Sequence, residues 1–228
     1  MIPFIEMFRD PEAIRQYAEG PPRFMPGYAD MQIMTAILLA ERAGSDGEIL
    51  VLGAGGGLEL CAFADLYPAW RMTGIDPAAA MLELARANLG SRADRVTLIE
   101  GLIEAAPTGP FAGACSLLTL HFLPADERLR TLREIHARMA PGAAFVAAHS
   151  SFPQAPAAER ERWLARYAAF AVAKGADAEM AAKAHKAVSA TLELLDPVAD
   201  EELMREAGFT GVAQFYAGFT WRGWVGYA

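Results

Sequence analysis

The segment at residues 48–60, EILVLGAGGGLEL, constrains the fold more than any other part of the sequence. An apolar run there breaks directly into glycines, which predicts a buried strand, a tight turn at Gly53, Gly55 and Gly57, and then a helix. Glycines let a ligand approach the backbone without a Cβ in the way, and the start of the helix offers free N–H donors. The segment is therefore typical of a unit that holds a nucleotide-like ligand, and a glycine turn used only for packing is the alternative.

Asp76 stands at the end of the next predicted strand, roughly 20 residues after the glycine turn. A carboxylate there can accept hydrogen bonds from the ribose of an adenine cofactor, or it can cap the helix that we predict from Pro77 onward. The GxGxG spacing lacks the third glycine of the dinucleotide pattern, and no GK[ST] follows it. Nicotinamide dinucleotides and nucleoside triphosphates are therefore disfavoured as ligands.

Short apolar strands alternate with helical patterns up to residue 148, which predicts a doubly wound α/β fold with parallel strands and helices on both faces. The predicted strands are residues 49–52, 71–75, 96–99, 113–118 and 143–148. The predicted helices around them are residues 29–43, 58–66, 77–89 and 126–139, the last ended by Pro141-Gly142. Beyond residue 151 the predictions are helices at 157–174, 178–195 and 200–207 and strands at 212–216 and 219–227.

This order of elements predicts three parts of the chain. Residues 1–43 form an N-terminal helical arm or lid, and residues 44–228 form the main domain. A helical insert over about residues 152–196 follows the fifth strand. It should lie above the carboxyl ends of the strands, where open α/β sheets bind ligands.

Composition narrows the classes of partner. The net charge is −8, from 20 basic and 28 acidic side chains, which disfavours a nucleic-acid substrate. No apolar run is long enough to cross a bilayer, and the N-terminus lacks the pattern of a secretory signal. Cys61 and Cys115 stand in apolar runs, and the four histidines show no metal-ligand spacing. We therefore expect a cytoplasmic protein without a disulfide, a metal or a membrane span, and the aromatic C-terminus makes a homodimer reasonable.

Five segments in order carry a family resemblance: VLGAGGG, GIDP, VTLIEG, CSLLTLHFLP and LREIHARMAPGAAFV. Together they resemble the class I S-adenosylmethionine-dependent methyltransferases. The resemblance implies a Rossmann-like, seven-stranded mixed sheet in the order 3-2-1-4-5-7-6, with S-adenosylmethionine as cofactor and S-adenosylhomocysteine as product. Within the superfamily, RFMPGYADM and LTLHFLPADER are similar to the carboxy-S-adenosylmethionine synthase branch, which makes a carboxymethyl sulfonium from the cofactor and prephenate.

The resemblance also implies a set of cofactor contacts. They are Tyr28, Gly53, Ala54, Gly55, Gly57, Asp76, Pro77, Met81, Gly101, Leu102, Ile103 and Thr119. Two positions depart from the family pattern, since Val51 replaces an acid that orients the methionyl ammonium and Leu102 replaces an aspartate at the adenine amine. Lys186 aligns with the arginine that pairs with the extra carboxylate in the synthase branch.

His121, just after the fourth predicted strand, is the candidate catalytic residue, as a general base or as a group that orients the acceptor. Packing beside Phe122 is the alternative. The candidate substrate contacts are Arg23, His149, Arg166, Tyr167 and Lys186. The expected function is methyl transfer from S-adenosylmethionine to an unidentified small molecule. Carboxy-S-adenosylmethionine synthesis, cofactor binding without catalysis, and RNA methylation on a local basic face are the alternatives.

Overall fold

The chain is organised around one seven-stranded sheet. The computed structural model describes residues 20–228, except the side chains of residues 189–191. The strands are β1 Glu48–Leu52, β2 Arg71–Asp76, β3 Val96–Glu100, β4 Phe111–Leu117, β5 Met139–Ser150, β6 Thr210–Gly218 and β7 Trp221–Tyr227. The helices are α1 Gly20–Phe24, α2 Tyr28–Ala43, α3 Leu58–Leu66, α4 Ala79–Leu89, α5 Ala125–Ala137, α6 Ala157–Ala173, α7 Ala178–Thr191 and α8 Pro197–Glu206.

The strands lie in the order β3-β2-β1-β4-β5-β7-β6, which confirms the predicted topology. The pairs from β3 to β5 are parallel, and β7 pairs antiparallel with both β5 and β6. The direction of winding reverses between β1 and β4. Such a reversal leaves a crevice at the carboxyl ends of these strands, where doubly wound proteins bind ligands.

Both faces of the sheet are buried, as the continuous apolar strands predicted. Ile49 and Val51 of β1 belong to one buried cluster, which α2 and α3 complete with side chains such as Met31 and Phe63. The neighbouring Leu50 and Leu52 belong to a second cluster on the opposite face, which α5 and α8 complete. The period-2 alternation therefore places the loop after β1 between two helical layers.

The largest difference from the predicted elements lies at the start of β5. We expected a helix to residue 139 and a strand from residue 143, but α5 ends at Ala137 and β5 begins at Met139. Met139 pairs with Phe111 of β4, and the Gly142 N–H donates to the Ala228 carbonyl. Residues 139–142 therefore belong to β5 because of these pairings, whereas their sequence pattern predicts the end of a helix. Smaller differences between predicted and observed boundaries occur at α4, which begins at Ala79, and at α7, α8 and β6.

The N-terminal arm divides into two parts in the described residues. Helix α2 packs against β4 and β5 within the main core, so residues 20–27 are the described part that can act as a lid. Two side chains of the C-terminal hairpin hold this short segment: Trp221 Nε1 donates to the Phe24 carbonyl at 2.9 Å, and the Tyr216 hydroxyl donates to the Pro26 carbonyl. Residues 1–19 of the predicted arm lie outside the described residues.

Helices α6 and α7 pack against each other after β5, and α6 also contacts α1. They form the expected helical insert, which lies beside residues 20–27. Within residues 20–228, no helix combines the length and the apolar character that a membrane span needs.

Candidate active site

A cavity of about 820 Å³ opens at the carboxyl ends of β1, β2 and β4, where the winding of the sheet reverses. This volume falls near the top of the roughly 300–1,000 Å³ typical of ligand pockets. Nine of the predicted cofactor contacts line it: Gly53, Gly55, Asp76, Pro77, Met81, Gly101, Leu102, Ile103 and Thr119. Tyr28, Ala54 and Gly57, which we also predicted, do not line it.

The glycine turn is tied to the end of β2 by backbone hydrogen bonds. The N–H groups of Gly53 and Ala54 both donate to the Ile75 carbonyl, at 2.8 and 2.9 Å. The Gly55 N–H donates to Asp76 Oδ2 at 2.9 Å, and the Ala78 N–H donates to Asp76 Oδ1 at 2.9 Å. Asp76 therefore joins the glycine turn to the start of α4, which is the cap-like role that we had kept as an alternative.

Two of the glycines have positive φ and a close neighbour, which leaves no room for a side chain at Gly53 and little at Gly57. Gly53 has φ +78°, and a Cβ there would lie 1.9 Å from Thr119 Oγ1. Gly57 has φ +75° and packs against Ala85 of α4, whose Cβ would be 3.0 Å away. Gly57 therefore serves the contact between α3 and α4, which explains why it lies outside the cavity.

Asp76 keeps acceptor capacity after these bonds. Each carboxylate oxygen accepts one backbone N–H and has a further lone pair, which a ligand hydroxyl can use. Burial raises the pKa of Asp76, and the two backbone hydrogen bonds oppose that rise. The carboxylate is thus held in place by the chain and is half-buried at the cavity wall.

The other end of the cavity is aromatic. Phe24 and Tyr167 stack with their ring centroids 5.1 Å apart, and Trp221 lies 6.3 Å from Tyr167. His121 lies with its ring edge-on to Trp221 at 5.9 Å and against Phe122 at 4.1 Å. All five residues line the cavity, so an apolar compartment continues directly from the glycine turn and Asp76.

His121 is held as a neutral ring with a defined tautomer. Its Nδ1 accepts from the Ser150 N–H at 3.4 Å, which leaves the ring proton on Nε2. Burial lowers the pKa of His121 well below its usual range, and the neighbouring His149 and Arg128 lower it further. Between a general base and an orienting group, this arrangement favours an orienting group that donates from Nε2.

His149 lies behind this wall, in a buried charged cluster rather than at the cavity. Its Nε2 is 3.2 Å from Asp200 Oδ1, and Arg128 pairs with the same carboxylate. Burial alone would raise the pKa of Asp200, but His149 and Arg128 lower it to about 2. The cluster joins β5, α5 and α8, and Arg128 also donates to the carbonyls of Leu123 and Glu193. His149 is therefore placed as a structural residue, in contrast to our expectation of a substrate contact.

Of the other predicted substrate contacts, Tyr167 alone lines the cavity. Arg166 and Lys186 are exposed on α6 and α7, and the Arg166 guanidinium lies over the Trp163 ring, 4.5 Å from its centroid. Arg23 is half-buried and outside the lining, because α1 directs Phe24 inward instead. Tyr28 packs into the core, and its hydroxyl accepts from Gln32 Nε2 at 2.9 Å.

Several lining residues are not among the predicted site residues. Phe24 belongs to the segment predicted as an arm or lid, Trp221 belongs to the aromatic C-terminus that suggested a homodimer, and Arg130 is a helix residue that resembles any solvated arginine. Leu118 has φ +56°, a costly conformation for leucine, at the point where β4 ends on the cavity. A β-branched or bulky residue with positive φ has no signature in sequence, so this strain could not be predicted.

Comparisons with known proteins agree with this geometry. The methyltransferase domain family matches residues 49–142, which span the glycine turn, Asp76, His121 and the start of β5. A carboxy-S-adenosyl-L-methionine synthase of Chromohalobacter salexigens is 27% identical over 214 residues, which cover 91% of this chain and 78% of the synthase. Residues 49–142 therefore match a methyltransferase domain, as the sequence predicted. Over most of its length the chain is also similar to an enzyme that acts on S-adenosylmethionine.

Solved structures show the same fold at low identity. Human N-acetylserotonin methyltransferase in complex with S-adenosylmethionine has a TM-score of 0.63 at 15% identity, over 98% of this chain and 58% of the human one. A chain in the complex between the Haloferax volcanii Trm112 methyltransferase activator and a candidate methyltransferase gives a TM-score of 0.65 at 17% identity. The match covers 100% of this chain and 98% of the matched one. This methyltransferase-fold chain spans about three fifths of the length of several other matched structures.

Proposed function

We propose that this chain binds S-adenosylmethionine at the glycine turn and transfers its methyl group to a small molecule held in the aromatic end of the same cavity. The observation that carries this proposal is the continuity of the cavity. The glycine turn and Asp76 line the same cavity as the aromatic side chains and His121. A cofactor and an acceptor can therefore lie side by side in one space.

The described residues fit the cofactor. Asp76 has lone pairs free for ribose hydroxyls, Gly53 and Gly55 allow close approach of the backbone, and Met81, Leu102 and Ile103 offer apolar surface to an adenine ring. When bound, S-adenosylmethionine would supply an electrophilic methyl group on a sulfonium sulfur. The aromatic end would keep water away from that group, and His121 would orient the acceptor through Nε2–H.

Carboxy-S-adenosylmethionine synthesis is a second candidate because of the synthase relative. That reaction needs a cation for the additional carboxylate, and Lys186, which aligns with the family's arginine, is exposed outside the cavity. Among the lining residues that the structure describes, Arg130 is the one lysine or arginine, and it pairs with Glu104 and Glu127. The cavity therefore supports methyl transfer better. A carboxymethyl product found by mass spectrometry with prephenate present would reverse this order.

The proposal also covers the location of the protein, its oligomeric state and the class of its acceptor. Cys61 and Cys115 are free thiols, which suits a reducing cytoplasm. Trp221 and Trp224 are buried inside the chain, so the basis for a homodimer is reduced to exposed side chains such as Phe219. We propose a small-molecule acceptor rather than nucleic acid, in keeping with the net charge of −8.

Calorimetric titration with S-adenosylmethionine and S-adenosylhomocysteine tests the cofactor site. Asp76→Ala should weaken binding by about 1.5–3 kcal/mol, the value of hydrogen bonds to a charged group. Asp94→Ala removes an exposed carboxylate and is the matched control. Unchanged affinity in Asp76→Ala would restrict Asp76 to joining the glycine turn to α4. No binding by the unaltered protein would leave a methyltransferase fold without its cofactor.

A further inference from the structure

We propose that the aromatic end of the cavity takes a neutral, planar aromatic acceptor that carries a hydroxyl group. Its ring would lie among Phe24, Tyr167 and Trp221, and one lone pair of its oxygen would accept from His121 Nε2–H while the other stays available to the methyl group. The inference deepens the proposed function by naming the class of acceptor, and it rests on that function for the presence of a cofactor beside the acceptor.

The aromatic wall, which we define as Phe24, Tyr167 and Trp221, is a continuous surface of rings. These side chains come from α1, α6 and β7, yet their rings form a continuous series with centroid distances of 5.1 and 6.3 Å. Flat aromatic surfaces favour flat aromatic ligands because offset stacking and edge-to-face contacts add to the burial of apolar area. The wall therefore selects planar rings over bulky aliphatic groups.

The polar atoms of the aromatic wall carry no charge. Trp221 donates its indole N–H to the Phe24 carbonyl at 2.9 Å, which also locks the two residues together. Burial raises the pKa of the Tyr167 hydroxyl, so this group stays uncharged at neutral pH. The wall offers ring surface to a ligand and no charge.

The described lining residues offer a charged ligand no cation that is not already paired. Arg130 has its guanidinium between Glu104 and Glu127, with 2.7 Å between Arg130 Nη2 and Glu127 Oε2. The low pKa of His121 keeps its ring neutral. A carboxylate in the aromatic end would lose its hydration without gaining a cationic partner among the described lining residues. The ligand that this end accepts is therefore neutral.

His121 supplies a hydrogen-bond donor, Nε2–H, to the aromatic end of the cavity. Ser150 N–H occupies Nδ1 of His121, and within the described part of the chain Nε2 has no hydrogen-bond partner. His121 lines the cavity next to Trp221, so Nε2–H is a fixed donor beside the ring surface, in addition to the Tyr167 hydroxyl. A phenolic oxygen has the matching acceptor, because its second lone pair would remain free for the methyl group and its proton would pass to solvent as the sulfonium sulfur leaves.

Three probes of similar size test separately the preference for an aromatic ring and the preference for a neutral ligand. Calorimetry would compare 2-naphthol, trans-decahydro-2-naphthol and 2-naphthoate, each with S-adenosylhomocysteine saturating the cofactor end. We expect 2-naphthol to bind about 3- to 10-fold more tightly than its saturated analogue, the advantage that aromatic pairs give. We expect 2-naphthoate to bind more weakly still. Equal binding of the saturated analogue, or tighter binding of the carboxylate, would overturn the proposal.

Variants localise the binding. Phe24→Leu and Tyr167→Leu should each weaken 2-naphthol about 3- to 10-fold and leave S-adenosylhomocysteine affinity unchanged. Phe170→Leu removes another ring from α6 that does not line the cavity, so it is the matched control. His121→Phe should weaken 2-naphthol, and His121→Gln, which keeps a donor, should recover part of the loss. Equal 2-naphthol affinity in His121→Phe and the unaltered protein would remove His121 from the proposal.

The two proposals fail in different ways. If S-adenosylhomocysteine binds and 2-naphthol does not, the acceptor class is wrong and the proposed function stands. If neither S-adenosylhomocysteine nor S-adenosylmethionine binds, the proposed function is wrong whatever 2-naphthol does. Quenching of Trp221 fluorescence by 2-naphthol, lost in Trp221→Phe, gives an independent measure that needs no turnover.

Discussion

Glu59 provides a sharp test of the electrostatics behind the glycine turn. It is the second residue of α3, is 4% exposed, and its carboxyl lies close enough to Asp76 to feel its charge. Burial raises the pKa of Glu59 from 4.5 to about 8, and repulsion from Asp76 adds to the rise. Replacement by glutamine keeps the shape of the side chain and removes the ionisation.

The sign of the effect follows from the direction of the pKa change. A carboxyl whose pKa is higher in the folded state than in the unfolded state imposes no penalty below about pH 4.5, and its penalty grows until the pH passes about 8. At 1.36 kcal/mol per pKa unit, the full penalty is at most about 5 kcal/mol. Glu59→Gln should therefore be nearly neutral at pH 5 and should stabilise the protein by several kcal/mol at pH 9.

Urea unfolding followed by tryptophan fluorescence at pH 5.5, 7 and 8.5 measures this difference. Glu83→Gln, on the exposed side of α4, is the matched control and should show no such trend. A Glu59→Gln effect that is the same at pH 5.5 and 8.5 would refute the reasoning, because it would mean that the folded protein accommodates the ionised carboxylate without cost.

Two further perturbations test the frame around the cavity. Arg128→Met should destabilise the protein by about 3–5 kcal/mol because it leaves Asp200 charged and buried, whereas Arg133→Met, which breaks an exposed pair with Glu206, should cost less than about 1 kcal/mol. Chemical denaturation of both variants measures this, and similar costs would show that the buried cluster is not a structural unit. Gly53→Ala should destabilise more than Gly142→Ala, since both have φ +78° but only Gly53 faces Thr119; we expect about 1–2 kcal/mol at Gly142. Gly53→Ala should also abolish S-adenosylmethionine binding in calorimetry. Retained binding would show that the glycine turn can shift to make room for a Cβ.

The predicted residues that the structure brings to the cavity are mostly those built within one stretch of chain. A glycine turn, the strand before it, the helix after it and the acid that ends the next strand are each specified by local backbone geometry, and parallel pairing of β1 with β2 brings Asp76 to Gly55. The predicted substrate contacts lie largely outside the cavity. Arg166 and Lys186 are exposed, since an arginine or lysine on a helix is stabilised by solvent unless a partner draws it inward.

The sequence by itself determined the class of fold, the strand order through the family resemblance, and the glycine-turn end of the cavity, because strand periodicity, turn chemistry and helix starts are local properties of the chain. Only the tertiary structure decided the other end. The rings of Phe24, Tyr167 and Trp221 are far apart along the chain and meet because α1, α6 and β7 pack over the carboxyl ends of the strands. The same packing set the tautomer of His121 through Ser150 and withdrew His149 into a pair with Asp200. Burial and long-range contacts decide such properties, and no local pattern encodes them.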